Sequence, residues 1–409
     1  MFKSISIFVI MVMSLSMLSG CANFLEDYNE TITVHQVAPY VRPPTEQISV
    51  SDYDELISVI IKHIMELETS LQLIYYPHEG EDVLAEVQRA SYEIMNNHPI
   101  GAYAVANMTV DANRNVTRFD VDIEIEYKRS KEQLDSIINV STLRYMMTQI
   151  LNIMSEYREE AAIRTNMLFT EDDIAEFVKE LYYQNPRRVL MLPFVTVEVF
   201  PEEGTDRIYE IQFGHVESPS ILQLYSENLA FYVRRNAELA VGTRDSEILL
   251  SLVNNLLEST TYDEGAARTI HVHGAQNFAA TAFGALVRGN AVGEGFAMAF
   301  KALCDELGFD SRIVLGEYDG RVHAWNIVLL YGYFYHIDVA MCSVYGIETA
   351  FLKTDADFEE MYTWDRENTV RCIGTLTLED IIGWGDSDIT DGPDETDDEP
   401  NDDNEEEQS

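Results

Sequence analysis

The sequence predicts an α+β protein: one helix packed on an antiparallel sheet, preceded by two helix–β-hairpin–helix units. Three observations predict it. Apolar residues recur at helical spacing in 52–69, from Thr170 onward and in 248–257. Between these stretches, side chains alternate strictly, as in Phe119, Val121, Ile123, Ile125 and Tyr127 interleaved with Asp120, Asp122, Glu124, Glu126 and Lys128. Near the C-terminus a glycine-punctuated helical stretch precedes two apolar runs that meet at Tyr331-Gly332.

The first element is a processing signal. Lys3 supplies a positive start, and Ile5 to Leu18 is an apolar run of 14 residues. A spanning helix needs about 20 residues, so the run fits a secretory signal instead. It ends Leu18-Ser19-Gly20-Cys21, which resembles a bacterial lipobox. That resemblance implies cleavage after residue 20 and acylation of Cys21. The expectation is an exported chain, lipid-anchored to the outer face of a bacterial membrane. Residues 21–49, with Pro39, Pro43 and Pro44, read as a tether.

The first unit is placed at 50–160. Its helix carries Leu56, Val59, Ile60 and Met65, and a second helix is expected over about 141–160, after the alternating strand. The second unit is placed at 161–244. It opens at Thr170 with Asp173 three residues on, an N-cap signature. It continues through alternating Val195, Val197 and Val199, then Tyr209, Ile211 and Phe213, to a helix from about Ile221. Pro99 and Pro186 lie 87 residues apart, and Tyr127 and Phe213 lie 86 apart, so the units read as a duplication. Neither shows a catalytic constellation. Packing, spacing or ligand presentation is the role expected of them.

The third unit is placed at 245–385. A helix over 248–257 opens it. Gly293 and Gly295 stand where a loop enters the next helix, whose apolar face is Phe296, Phe300, Leu303 and Leu307, with Gly308 as its stop. A helix N-terminus is where a thiolate is stabilised by unpaired N–H groups and the dipole. A hairpin turning at Tyr331-Gly332 sets Leu330 opposite Tyr333 and Trp325 opposite Asp338. His323 and Asp338 then become diagonal neighbours within side-chain reach, the way an orienting carboxylate holds a base. His336 is read as pointing away from them. His271-Val272-His273 on a strand would turn both imidazoles one way, but no third ligand stands nearby, so no metal and no cofactor is expected.

These residues resemble the transglutaminase-like superfamily of cysteine proteases and acyltransferases. The resemblance rests on 283–309, on His323-Ala324-Trp325-Asn326, on Tyr335-His336-Ile337-Asp338 and on Phe351-Leu352-Lys353-Thr354-Asp355. It implies a papain-like core and a Cys–His–Asp triad in chain order. His323 and Asp338 take the second and third places. The family's Val-Cys-x-Gly-Tyr-Ala frame reads Val292-Gly293-Glu294-Gly295-Phe296-Ala297, so glycine stands at the nucleophile position. Trp325, Asn326 and Glu294 are expected in the cleft. Cys304 reads as a buried core thiol. Cys342 is read in two ways, as approaching the site or as paired with Cys372. The resemblance thus implies a pseudoenzyme that binds a peptide or cell-wall ligand. The alternative is a weak hydrolase in which His323 and Asp338 activate water.

Residues 386–409 hold 13 acidic side chains and no basic one, a solvated tail. Without them the formal charge moves from −44 to −31, so the remainder is acidic too. An acidic surface excludes nucleic acid as a partner, because phosphate binding needs a basic footprint.

Overall fold

The computed structural model describes residues 48–78 and 82–387. Cys21, the signal run and most of the tether lie outside the described residues, as does the tail from residue 388. The described residues are α+β.

The first unit runs β1 (Ile48–Val50), α1 (Tyr53–Met65), β2 (Ser70–Tyr75), α2 (Val83–Asn97), α3 (Pro99–Ala104), β3 (Val105–Asn115) and β4 (Arg118–Tyr127). Its sheet has the order β1-β2-β4-β3, with β1 parallel to β2 and the other pairs antiparallel. The alternation read from sequence is visible in β4, where Val121, Ile123 and Ile125 are buried and Asp122, Glu124 and Glu126 exposed. The last two tether residues, Ile48 and Ser49, belong to β1.

After a short turn α4 (Lys131–Asp135), the second unit repeats the path: β5 (Ile138–Asn139), α5 (Leu143–Ser155), β6 (Glu160–Thr165), α6 (Glu171–Gln184), β7 (Phe194–Phe200) and β8 (Arg207–Gly214), followed by α7 (Pro219–Glu238). Its sheet order, β5-β6-β8-β7, has the same parallel and antiparallel pairs. Both first helices end the same way. Leu67 (φ 57°) and Tyr157 (φ 54°) take the left-handed conformation, and the next N–H reaches back to His63 or Ile153.

The repeat is therefore β-α-β-α-β-β, not helix–hairpin–helix. The helix expected over 141–160 as the end of the first unit is α5, the first helix of the second. Alternation and helical periodicity located the elements. They did not show that short parallel strands β1 and β5 precede each first helix.

The third unit begins with α8 (Asp245–Ser259), β9 (Thr261–Tyr262), α9 (Glu264–Ala267) and β10 (Asn290–Ala291). Then follow α10 (Gly293–Leu307), β11 (Ser311–Tyr318), β12 (Arg321–Leu330), β13 (Tyr333–Ile337), α11 (Val339–Tyr345), α12 (Asp355–Phe358), β14 (Tyr362–Trp364) and α13 (Leu378–Ser387). The sheet order is β13-β12-β11-β14, all antiparallel, and α10 packs on β12 and β11. Gly308 closes α10 at φ +83°. Tyr331 and Gly332 both take positive φ, as the two-residue hairpin requires. The end of α13 covers Asp386 and Ser387, so the first two residues expected in the tail are helical.

One apolar core runs through the second and third units without a break, from Val140 to Ile381. The first unit has its own core, joined by Ala162 and Ile208 of the second, with Phe200 packed against it. An ion pair between a partly buried arginine and a buried glutamate crosses that junction. Arg129 meets Glu210, which also takes a 3.5 Å hydrogen bond from Tyr103. Among the described residues no helix is long and apolar enough to cross a membrane.

Removing one partner of a buried pair strands the other charge. Arg129→Met is expected to lower stability by about 3 kcal/mol, measured as the shift in urea-unfolding midpoint. An unchanged midpoint would show that Glu210 finds water or another donor.

Candidate functional site

The first residue of α10 is Gly293. Val292 precedes it without a side-chain cap bond, so the helix end is bare. Beside it lies the ring of His323, carried by β12. A Cβ placed on Gly293 would come within 2.3 Å of both Cε1 and Nδ1 of that ring. The imidazole therefore occupies the volume in which any side chain at 293 would start.

The ring is held on its far edge. Nε2 of His323 lies 2.6 Å from Oδ2 of Asp338, the N-cap residue of α11. Tyr362 donates its hydroxyl to the same oxygen at 2.9 Å, and the Met341 N–H reaches Oδ1 at 3.0 Å. With these donors converging on the carboxylate, the neutral imidazole keeps its proton on Nε2 and turns Nδ1 toward Gly293. His323 is 7% and Asp338 1% exposed, so water competes little for the pair.

Trp325 and Asn326, both expected in the cleft, do not line it. Trp325 is 1% exposed and lies near-parallel to the His323 ring, with centroids 6.2 Å apart. Its Nε1–H donates to Nδ1 of His336 at 3.0 Å. Asn326 is fully buried under α10, where its amide donates to the Ala297 carbonyl. The two side chains alternate across the strand. One supports the histidine, and the other fixes the helix to the sheet.

His336 also departs from expectation. It stands two residues from Asp338, so both side chains share a face. His336 stacks on Phe358, Phe358 stacks on Tyr362, and Tyr362 closes the circuit on Asp338. The other nitrogen of His336, Nε2, donates to Asp355 at 3.0 Å.

With Cys372, these two residues bring three potential ligand atoms within 4.8 Å of one another. The hydrogen bonds argue against a metal there. Trp325 occupies the lone pair of Nδ1, so the proton sits on Nε2, the atom a cation would need. The trio instead fastens the segment around Asp355 to β13.

Neither reading of Cys342 holds: it does not line the cleft, and it and Cys372 are free and buried. Burial pushes the Cys372 thiol up to about 12 and those of Cys304 and Cys342 higher still. Neither Cys304 nor Cys342 lines the cleft that opens beside Gly293.

That cleft has a volume of about 860 Å³. Gly293, Glu294 and His323 line it together with Tyr318, Tyr345, His271 and His273. His271 and His273 belong to a loop rather than the expected strand. Of the three expected cleft residues, only Glu294 lines it. Its carboxyl accepts from the Tyr183 hydroxyl at 2.9 Å and the Gly274 N–H at 3.1 Å. Tyr183 lies on α6 and does not itself line the cleft, so the second unit supports it through Glu294. No sequence signal for this exists beyond the Tyr182-Tyr183 pair closing a helix.

Two solved structures are similar to the chain. One, described as a TGase, shares 14% identity over 53% of this chain and 60% of its own, with a TM-score of 0.25. The other, described as a "Putative Cysteine Protease from Cytophaga hutchinsonii", shares 16% identity over 36% and 62%, with a TM-score of 0.21. The chain spans less than two thirds of either. No family model and no curated protein matches it.

Burial raises the Glu294 carboxyl from 4.5 to about 7 against the opposing hydrogen bonds of Tyr183 and Gly274. A carboxyl whose folded value is raised adds stability while it is protonated, and that stability is lost as pH climbs from the unfolded value through the folded one. Stability is thus expected to fall by about 3 kcal/mol between pH 4.5 and 8 from this group. Urea unfolding across that range checks it: Glu294→Gln should remove this part of the slope.

Proposed function

We propose that the chain is a lipid-anchored, extracytoplasmic protein with a transglutaminase-like domain that binds a peptide or cell-wall peptide stem without turning it over. The observation that carries this reading is the 2.3 Å approach of the His323 ring to a Cβ at residue 293. Acyl transfer through a thioester needs a sulfur at the start of α10. Here the chain has no side chain at that place, and the base has settled into the space. Removing the nucleophile from a comparable triad costs on the order of a millionfold in kcat.

The anchor is assigned to Cys21 and the location to the outer face of a bacterial membrane, on the lipobox resemblance of residues 18–21. One acyl chain holds a protein only marginally, so the reading implies more than one chain on that cysteine. The cleft suits a bound peptide: it is open and lined by Tyr318, Tyr345 and Met341, with backbone groups of α10 at its base. The alternative, a weak hydrolase, is supported by the 2.6 Å His323–Asp338 bond, which would orient a base toward water.

Titration calorimetry with cell-wall peptide stems is expected to show binding by the wild type, weakened at least about tenfold by Tyr345→Ala at the rim. No turnover should accompany it. Wild-type hydrolysis that disappears in His323→Ala would establish the alternative. Gly293→Cys alone should restore little, because its Cβ forces the imidazole off Asp338.

Cys21→Ala is expected to move the chain from the membrane fraction to the soluble one. Retention at the membrane would remove the anchor from the reading.

A further inference from the structure

Glu294, next to the vacated position, ties three parts of the molecule together. It sits on α10, and its carboxyl takes the hydroxyl of Tyr183 from α6 and the N–H of Gly274 from a loop. That loop, 268–274, forms one wall of the cleft through Arg268, Ile270, His271 and His273. Gly274 has φ +73°, and a Cβ there would press within 2.4 Å of Leu192. The loop end is thus seated where only glycine fits while Glu294 holds it.

The surroundings offer Glu294 no close counter-charge. Tyr183 and its neighbour Tyr182 face it from α6, and burial pushes both phenols far up, so they stay protonated. Lys179, also on α6, acts only from a distance and is drawn to Glu176. From the loop, His273 turns a buried, unpartnered Nδ1 toward Glu294 Oε2, but at 3.9 Å, beyond hydrogen-bond reach. Burial and Lys179 both hold that imidazole below its ordinary value. His273 also hydrogen-bonds the backbone of Gly316 on β11, a second tie for the loop, and the charges of His323 and Glu317 act on it.

We propose that Glu294 is a proton-operated latch on the cleft wall. Protonated, it stays buried and holds loop 268–274 shut. Ionised, it draws water in, and the loop swings out. A lone buried carboxylate must be neutralised or hydrated. Opening the loop is the least disruptive route, because Val272 is 63% exposed while α10 and α6 belong to the core.

The carboxyl's value near 7 sets the working range at neutral pH. Linkage then makes the ratio of shut to open loop fall roughly tenfold between pH 6 and 8. The inference gives the proposed binding cleft a regulator and rests on that reading for its purpose, not for its test.

The test is hydrogen–deuterium exchange of 268–277 in the full chain from pH 6 to 8, each rate divided by the intrinsic rate at that pH. Protection should fall roughly tenfold in the wild type and stay constant in Glu294→Gln, which keeps both hydrogen bonds without the charge. His273→Ala should retain the wild-type dependence. Flat wild-type protection, a Glu294→Gln variant that follows the wild type, or loss of the dependence in His273→Ala would each overturn the latch. No ligand is present, so failure here leaves the binding reading standing, and absence of peptide binding leaves the latch standing.

Discussion

The contact between the His323 imidazole and the bare backbone of Gly293 is the constraint around which the third unit is arranged. A ring can settle that close only on a residue without Cβ. Asp338 fixes the far edge of the ring, Tyr362 shares the same carboxylate, and Trp325 backs the face. The glycine and the histidine are therefore one steric unit. A side chain at 293 would displace the ring from its carboxylate, and the network behind it would lose its reason for that geometry.

Behind this contact the domain uses a second histidine–carboxylate pair, His336 and Asp355, for support rather than chemistry. The indole N–H of Trp325 decides its role by claiming one ring nitrogen and fixing the proton on the other. Fully buried, with every ring nitrogen satisfied, His336 answers the rule that interior polar groups must be paired. The same rule makes Nδ1 of His273 conspicuous, because it stops short of a bond to Glu294.

The second unit is continuous in its core with the third and lends Tyr183 as a hydrogen-bond donor to Glu294, which lines the cleft. It cannot act as a detachable spacer, since its removal would expose apolar surface and strip a donor from a buried carboxyl. The first unit is different. It has a separate core and meets the second across a junction that includes Arg129 and Glu210. Two copies of one topology have thus taken different parts, one fused to the site and one appended.

Local rules in the sequence determined much of this protein. Strict alternation gave β4, helical periodicity gave α1, α6, α8 and α10, Thr170 with Asp173 gave a cap, and Tyr331-Gly332 gave the hairpin turn. Hairpin register then brought His323 to Asp338, because pairing across a two-residue turn leaves one solution. The lack of a side chain at residue 293 was equally legible, as glycine has none wherever the chain places it. Tertiary structure decided what depends on residues far apart in the chain. It put α5 in the second unit, because β5 pairs with β6. It took Trp325 and Asn326 out of the cleft, because one backs the histidine and the other holds α10. It also brought Tyr183 to Glu294 across 111 residues. Periodicity records which face of an element is buried; which partner buries it is settled only when the elements pack.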